Sequence, residues 1–444
     1  MKQALATAMM VCGGILLGAS SIPAVELGNI NGNVRTDQRL RFDPQEFTRN
    51  ETRANLKFEG APSEKYHYFA ETQLSGVRNL SADDQFDWEL DLREGYFDLY
   101  KIFSDRLDIR IGKQIIAWGK ADKINPTSNV TPDNLEDSFD FGEKLGVNAI
   151  QATVYWGGDT SVAGMFIPEF GVAELPAGEF ASAFAGTIAP PEGMTLRNIA
   201  QHARQPERAV SESSLYAVKV SAALWNYDVS FSYLAGRDDL PLANSVLLTP
   251  VDALGTVDID VGLIYPKMQV IGADVAGQIK TVGVWAEGAL FLPDKVALTT
   301  ALNTPEGAVA QSETTALDDD MFFKYVVGMD YTFKNQWYVN AQFIHGFFHE
   351  RGADALTDYL VFRCEKDFMN AELTVAPLGV AFAVPEWDNL DSNYGLVGIP
   401  EITYRPVDNV ELILGAYIIA GEGANMFSQI DDQDQAYFKA KVSF

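Results

Sequence analysis

The sequence predicts an all-β fold: a closed antiparallel transmembrane β-barrel of about 18 strands, with 16 as the alternative count, tight turns on one rim and long loops on the other. Three observations predict it: an export signal opens the chain, apolar residues alternate with period two from end to end, and very short turns rotate with long connections.

At the N-terminus, Lys2 precedes an apolar run from Ala4 to Gly18, and small residues follow with Ala24 as a cut point. Residues 1–24 therefore read as a secretory signal peptide. The run is shorter than the roughly 20 residues a membrane-spanning helix needs. Residues 25–444 form one unit, with no internal repeat or linker marking a second domain. Losing Lys2 with the signal moves the formal net charge from −28 to −29. Such acidity argues against a nucleic-acid partner and favours attraction of cations. Cys12 falls inside the signal and Cys364 stands alone, so no intramolecular disulfide can form.

The first strand is expected near Glu26 and the last ends at Phe444. Between them, "YDVSFSYLA" sets Tyr227, Val229, Phe231 and Tyr233 against Asp228, Ser230 and Ser232. "FFKYVVGMDYTF" places Phe323, Tyr325, Val327, Met329, Tyr331 and Phe333 on one face, and "QWYVNAQF" and "NVELILGAYI" repeat the pattern. One face suits lipid and the other water, the signature of transmembrane strands. Tight turns fall at 61–64, 103–106, 156–159, 224–227, 333–336 and 405–409, in turn-forming residues. Long loops are expected at 77–86, 117–144, 168–212, 238–264, 292–320, 349–357, 385–392 and 421–434. The count of 16 arises because residues 358–384 and 255–270 divide in more than one way. An even number closes the sheet and removes its edges, and a barrel of this size leaves a water-filled lumen.

The chain closes on "QAYFKAKVSF", with Phe438, Ala440, Val442 and Phe444 on one face. This resembles the C-terminal strand of bacterial outer-membrane proteins, which implies that Phe438, Val442 and Phe444 are read by the barrel assembly machinery.

Two neighbouring strands carry the richest mixture of charge. In "DWELDLREGYFDLY" the apolar parity flips at "REG", where a bulge around Gly95 would restore register. Glu89, Asp91, Arg93 and Asp98 then look into the lumen beside Asp108, Arg110 and Gln114 of the next strand. Charges of both signs on one wall set a transverse field for passing solutes; the alternative is that they pair and solvate the wall.

Beyond that strand, "AWGKADKINPTSNVTPDNLEDSFDFGEK" is unlike flexible filler. Asn125 before Pro126 and Thr131 before Pro132 favour defined turns. Trp118 suits the membrane rim as an amphipathic ring, and it and Ile124 are costly to leave in water. Such a loop can fold back to narrow a pore, with Trp118, Lys120, Asp122, Lys123, Asn125 and Pro126 as constriction candidates, or it can pack on the surface.

The residues Gly112, Lys113, Gln114, Trp118, Gly119, Asp122, Asn125 and Pro126 resemble the G-[KR]-Q-x-x-x-W-G-x-[AST]-D…N-P signature of a poorly characterised family of proteobacterial outer-membrane β-barrel proteins. The resemblance is specific over about 45 residues and extends elsewhere only as barrel architecture. It implies a porin-like protein in contact with outer-membrane lipid and lipopolysaccharide, and supplies no catalytic residue, cofactor or settled substrate.

Other chemistry finds little support. The "GK" at Gly119 and Lys120 lacks the remaining residues of a phosphate loop. His345 and His349 are four apart where a strand leaves for a loop, so that spacing defines no metal-binding face. With four histidines and no G-x-S-x-G, a nucleophile and base pair is not indicated. The loops at 238–266, 292–320 and 421–434 hold 15 acidic residues and one Lys, Lys295; such runs are solvated or bind divalent cations weakly, and either way make the mouth negative.

The expected function is passive diffusion of small-molecule solutes through the outer membrane, biased towards cations or neutral compounds. The alternatives are a non-conducting structural or surface-binding barrel, a channel for apolar compounds, and a sheath for an electron-transfer partner. Association into homo-oligomers is left open.

Overall fold

In the computed structural model the residues described are 28–78, 87–157, 159–176, 193–252, 255–304 and 307–444. The signal segment, Glu26 and most of the loop at 77–86 lie outside them.

The chain begins with β1 (Asn29–Arg41), β2 (Glu46–Ser63), β3 (Tyr66–Arg78), β4 (Asp87–Leu99), β5 (Leu107–Gln114), β6 (Val147–Tyr155) and β7 (Ser161–Ile167). It continues through β8 (Thr195–Ala203), β9 (Leu215–Leu224), β10 (Tyr227–Arg237), β11 (Leu242–Pro250), β12 (Thr256–Ile264), β13 (Lys267–Ile279) and β14 (Val282–Pro293). Then come β15 (Val296–Thr304), β16 (Gly307–Leu317), β17 (Phe322–Thr332), β18 (Trp337–His345), β19 (Asp358–Phe368) and β20 (Leu373–Val384). The last are β21 (Tyr394–Gly398), β22 (Glu401–Val407), β23 (Val410–Glu422) and β24 (Gln435–Ser443).

Nineteen of these strands form one sheet in which each pairs antiparallel with its neighbours. β24 returns to β1 from Asn33↔Ser443 to Arg41↔Gln435, which closes it. The barrel has 18 positions, because β21 and β22 share one: β20 pairs β21 through Val380–Ala383 and β22 through Leu373–Ala376. Pro400 stands in the gap, where a residue without an N–H cannot continue the ladder.

The period-two pattern sorts the two faces. Phe97, Phe231, Leu414 and Phe444 are more than half exposed on the outside, which places them against lipid. On the other parity, Asp37, Arg39, Glu51, Asp274, Glu287, Asn340 and Gln342 are buried within the ring. A one-residue slip would exchange these faces, so the lipid boundary fixes the register.

The bulge expected at residues 93–95 is present: Glu71 faces Glu94 and Thr72 faces Leu92, which leaves Arg93 as the extra residue. Arg93 reaches Glu143, and Glu94 accepts from the Ile115 N–H at 2.9 Å. Two expectations need correction. The segments at 168–212, 238–264 and 292–320, expected as loops, contain β8, β11, β12, β15 and β16, which build a separate five-stranded sheet on the long-loop side. That sheet pairs strands from different loops, β11 with β15 and β12 with β8, both parallel, and buries Val257, Ile259 and Val261. Pairing between distant loops leaves no local signal. Finally, Trp118 is 7% exposed and packs with Ile116, Val130, Val147 and Phe291 in an interior cluster, away from the membrane rim. An indole has far more apolar area to bury than its single N–H costs.

Candidate functional site

Residues 115–146, between β5 and β6, carry no long strand or helix, yet are held to strands all round the ring. The hold begins at Gly119, whose φ of 89° is open to glycine and strained for other residues. A Cβ there would stand 2.5 Å from both Glu287 Oε2 and Asn125 Oδ1. The sharp turn aims backbone donors at β14: the N–H groups of Lys120 and Ala121 donate to Glu287 Oε2 at 2.6 and 3.1 Å, and that of Thr127 to Oε1 at 3.5 Å.

Further along, Asn340 of β18 donates to Asp122 at 3.0 Å. Arg39 of β1 donates to Asp137 at 2.8 Å. Arg49 and Arg53 of β2 pair with Glu136 at 3.2 and 2.7 Å, and Arg93 of β4 pairs with Glu143. Phe139 stacks on Tyr417 of β23 with centroids 4.1 Å apart. Within the segment, Lys144 Nζ meets Asp133 Oδ1 at 2.6 Å and the carbonyl of Ser128 at 2.9 Å. Trp118, Ile124, Val130 and Leu135 are all buried, each contributing about 1.5–3 kcal/mol to holding the segment.

Electrostatics reinforce this hold. Burial opposes the charge on Asp137, but Arg39 and Arg49 outweigh it and keep the carboxyl well below the usual range. Burial likewise opposes the charge on Asp140, and Lys123, 2.8 Å away, lowers it. Asp239, whose Oδ2 accepts from the Asp133 N–H at 2.8 Å, behaves oppositely. Burial, then the charges of Asp133 and Asp238, push its carboxyl up to about 7.

The residues singled out from the sequence fall into distinct places. Gln114 is fully buried and donates to the carbonyl of Ala149 at 3.0 Å. Asp98 is buried between His67 at 3.0 Å and Arg110 at 2.6 Å, and Arg110 also lies over the Tyr96 ring. Asp91 pairs with Lys113 at 3.2 Å, and Glu89 is exposed. Asp108 accepts from the Lys101 N–H at 2.9 Å in the tight turn, so it sits at the short rim. In the segment, Lys120 Nζ lies 3.9 Å from Asp228, and Pro126 is buried with its carbonyl accepting from Asn129. His345 meets Asp358 at 2.6 Å. His349 is lowered to about 3 by burial, then by Lys324 and Arg351.

Sequence reasoning missed the basic ladder of Arg35, Arg39, Arg49 and Arg53. Its signal is present: Arg35, Asp37, Arg39 and Arg41 recur every second residue, as do Arg49, Glu51 and Arg53.

Three cavities lie along one side of the segment. The largest, about 460 Å³, lies between residues 122–141 and the inner faces of β18 to β24. It shares Arg363 and Glu401 with a charged cavity of about 430 Å³ that also touches Asp367, Arg405 and Glu411. It shares Asp140 and Lys439 with another of about 240 Å³, lined by Arg35, Asp37, Glu51 and Asp137. Glu411 and Ile413 join the two charged cavities. None of Glu89, Asp91, Arg93, Asp98, Asp108, Arg110 and Gln114 lines these three.

A closed 18-position ring with an apolar outer belt, polar groups turned inward, and tight turns opposite long loops defines a porin-like β-barrel of the bacterial outer membrane. More particularly, the chain belongs to the family described as "Protein of unknown function (DUF1302)", which matches residues 30–398.

No curated protein matches the sequence. Among solved structures, the chain is similar to Pseudomonas aeruginosa OccK9 (OpdG), with 8% identity, a TM-score of 0.49, and 95% of this chain and 98% of that one covered. Similarity to Pseudomonas aeruginosa OccK11 (OpdR) has 8% identity and a TM-score of 0.49, covering 94% of each chain. A Salmonella typhi OmpF complex with daunomycin matches at 9% identity and a TM-score of 0.43, over 94% of this chain and 97% of that one. The fold assignment is carried by the closed ladder between β1 and β24.

Proposed function

We propose that the protein is a channel for passive diffusion of small solutes across the outer membrane, with residues 117–144 as its constriction. One observation carries this reading: the segment is tied to β1, β2, β4, β14, β18 and β23, yet leaves a chain of cavities sharing residues from its own flank towards the tight rim. A lumen narrowed on one side and open on the other needs only weak contacts to pass a solute.

The arginines of β1 and β2 are matched by Asp37, Glu51, Glu136 and Asp137, so the narrow region carries little net charge. Selectivity for cations or neutral solutes then comes from the acidic outer loops, whose potential salt screens over about 8–10 Å. Phe438, Val442 and Phe444 face outward, accessible to the barrel assembly machinery. The outer belt contacts lipid and, at the long-loop rim, lipopolysaccharide. Residues 1–24 are removed on export, and the wide barrel is free to associate with further copies.

Single-channel recording in planar bilayers tests this. Folded protein gives discrete conductance steps, and replacing residues 119–143 by a short Gly-Ser linker raises the step several-fold. Correctly folded protein that passes no ions refutes the channel, and an unchanged step in the linker variant refutes the constriction.

A further inference from the structure

The largest of the three cavities along the segment is chemically unlike the lumen around it. Barrel interiors that carry water are lined by polar side chains, whereas here Ile344, Tyr359, Val361, Val397 and Ile399 of the wall face Phe139 and Phe141 of the segment. Phe427 and Ile430, from the loop before β24, complete the apolar lining. At about 460 Å³ the cavity lies in the range of small-molecule sites, which are mostly apolar with a few oriented polar groups.

One such polar group is present. Gln342 of β18 is 7% exposed and lines the cavity, and its Oε1 is buried with no hydrogen-bond partner among the described residues. Its orientation follows from its neighbours. Asp122, a carboxylate, can only accept, so the Asn340 amide turns its Nδ2 towards it at 3.0 Å. The Asn340 oxygen then faces the Gln342 Nε2 at 3.5 Å, a marginal hydrogen bond that still favours this orientation of the amide. This chain of donors leaves the Gln342 oxygen as the unsatisfied end. A buried acceptor without a donor has lost its water and gained nothing in return, and a ligand hydroxyl or N–H recovers that loss.

The cations in the cavity are already compensated. Arg363 is held by Glu365 at 2.7 Å and Glu401 at 3.1 Å, Lys439 lies 3.6 Å from Asp37, and Lys123 pairs with Asp140. A fixed anion would have to break one of these pairs, and Asp122, the one lining carboxylate without a cation beside it among the described residues, already accepts from the Asn340 amide.

We propose that this cavity is a binding site for a neutral, ring-containing solute that carries one hydrogen-bond donor, such as a phenol or an aromatic alcohol, with its ring between the segment and the wall and its donor on Gln342 Oε1. The inference rests on the channel reading and names the solute class that the route favours.

The test is isothermal titration calorimetry on the full folded barrel in amphipol, with 2-naphthol and its methyl ether as probes and protein-free amphipol as the blank. The structure predicts saturable one-to-one binding of 2-naphthol and about tenfold weaker binding of the ether, a factor equivalent to 1.4 kcal/mol. Gln342→Leu, similar in size and apolar, removes the preference while both probes still bind. Ala381→Phe, placed on the cavity wall, removes binding of both, and heat-modifiable gel migration verifies that each variant folds. No saturable binding to the wild-type barrel overturns the proposal, as does an undiminished preference in Gln342→Leu or wild-type binding in Ala381→Phe. Conductance measured on the same preparations separates the readings: steps without binding sink only the solute class, and binding without steps sinks only the open channel.

Discussion

Glu287→Ala is the sharpest perturbation of the constriction. The carboxylate receives two well-formed backbone hydrogen bonds, from Lys120 at 2.6 Å and Ala121 at 3.1 Å, and a marginal third from Thr127 at 3.5 Å. Hydrogen bonds to a charged group are worth about 1.5–3 kcal/mol each, so the two good ones contribute about 3–6 kcal/mol to the local hold. Alanine removes both and leaves the two backbone N–H groups without their acceptor. The rest of the segment stays tied by Arg39 to Asp137 and by Arg53 to Glu136, so only residues 119–127 loosen. In planar bilayers this gives noisier open-channel current and a larger mean conductance, and limited proteolysis from the long-loop side gains a cut near Lys120 or Lys123. Glu287→Gln, which keeps an acceptor oxygen, shows a smaller effect in both assays. Glu287→Ala protein with wild-type noise, conductance and protease resistance would refute the assignment of this carboxylate as the anchor.

Gly119→Ala must hold a residue with a Cβ at φ 89° while that Cβ lies 2.5 Å from Glu287 Oε2; a loss of about 1–3 kcal/mol is expected, read as a lower thermal midpoint. Asp137→Asn leaves Arg39 and Arg49 facing a neutral amide, and reversal potentials in a salt gradient shift towards anions. Asp108→Ala, at the tight rim, leaves them unchanged. Asp239, raised to about 7 from 3.8, holds its proton more tightly in the folded state. The resulting stabilisation is complete below about pH 4 and is lost as pH rises through 7, at no more than about 1.4 kcal/mol for each pH unit crossed. Thermal unfolding is therefore expected at lower temperature at pH 8 than at pH 5, with Asp239→Asn flattening the difference; an unaltered slope in the variant would assign it to other groups.

The alternation of Phe231 with Ser230 or Phe438 with Lys439 determined by itself which face of each strand meets lipid. A strand between bilayer and lumen must change polarity at every residue, so that boundary condition is written locally. The rotation of turns and loops likewise carried the strand order and narrowed the count to 18 or 16. Even so, β21 and β22 share one position only because Pro400 interrupts a ladder whose partners lie elsewhere, and the outer sheet of β8, β11, β12, β15 and β16 is assembled by parallel pairings between loops far apart in the chain.

The signature from Gly112 to Pro126 was legible as a shaped segment, while its meaning was tertiary. Gly119 is explained by a carboxylate on β14, Asp122 by an amide on β18, and Trp118 by an interior cluster. The sequence placed polar candidates on β4 and β5, where the turn ends and charges are now seen to pair, and overlooked the arginines of β1 and β2 that face Glu136 and Asp137. Periodicity says which side chains point inward but not which of them meet. That depends on where the segment of residues 115–146 lies among 18 strand positions, which only the closed ring decides.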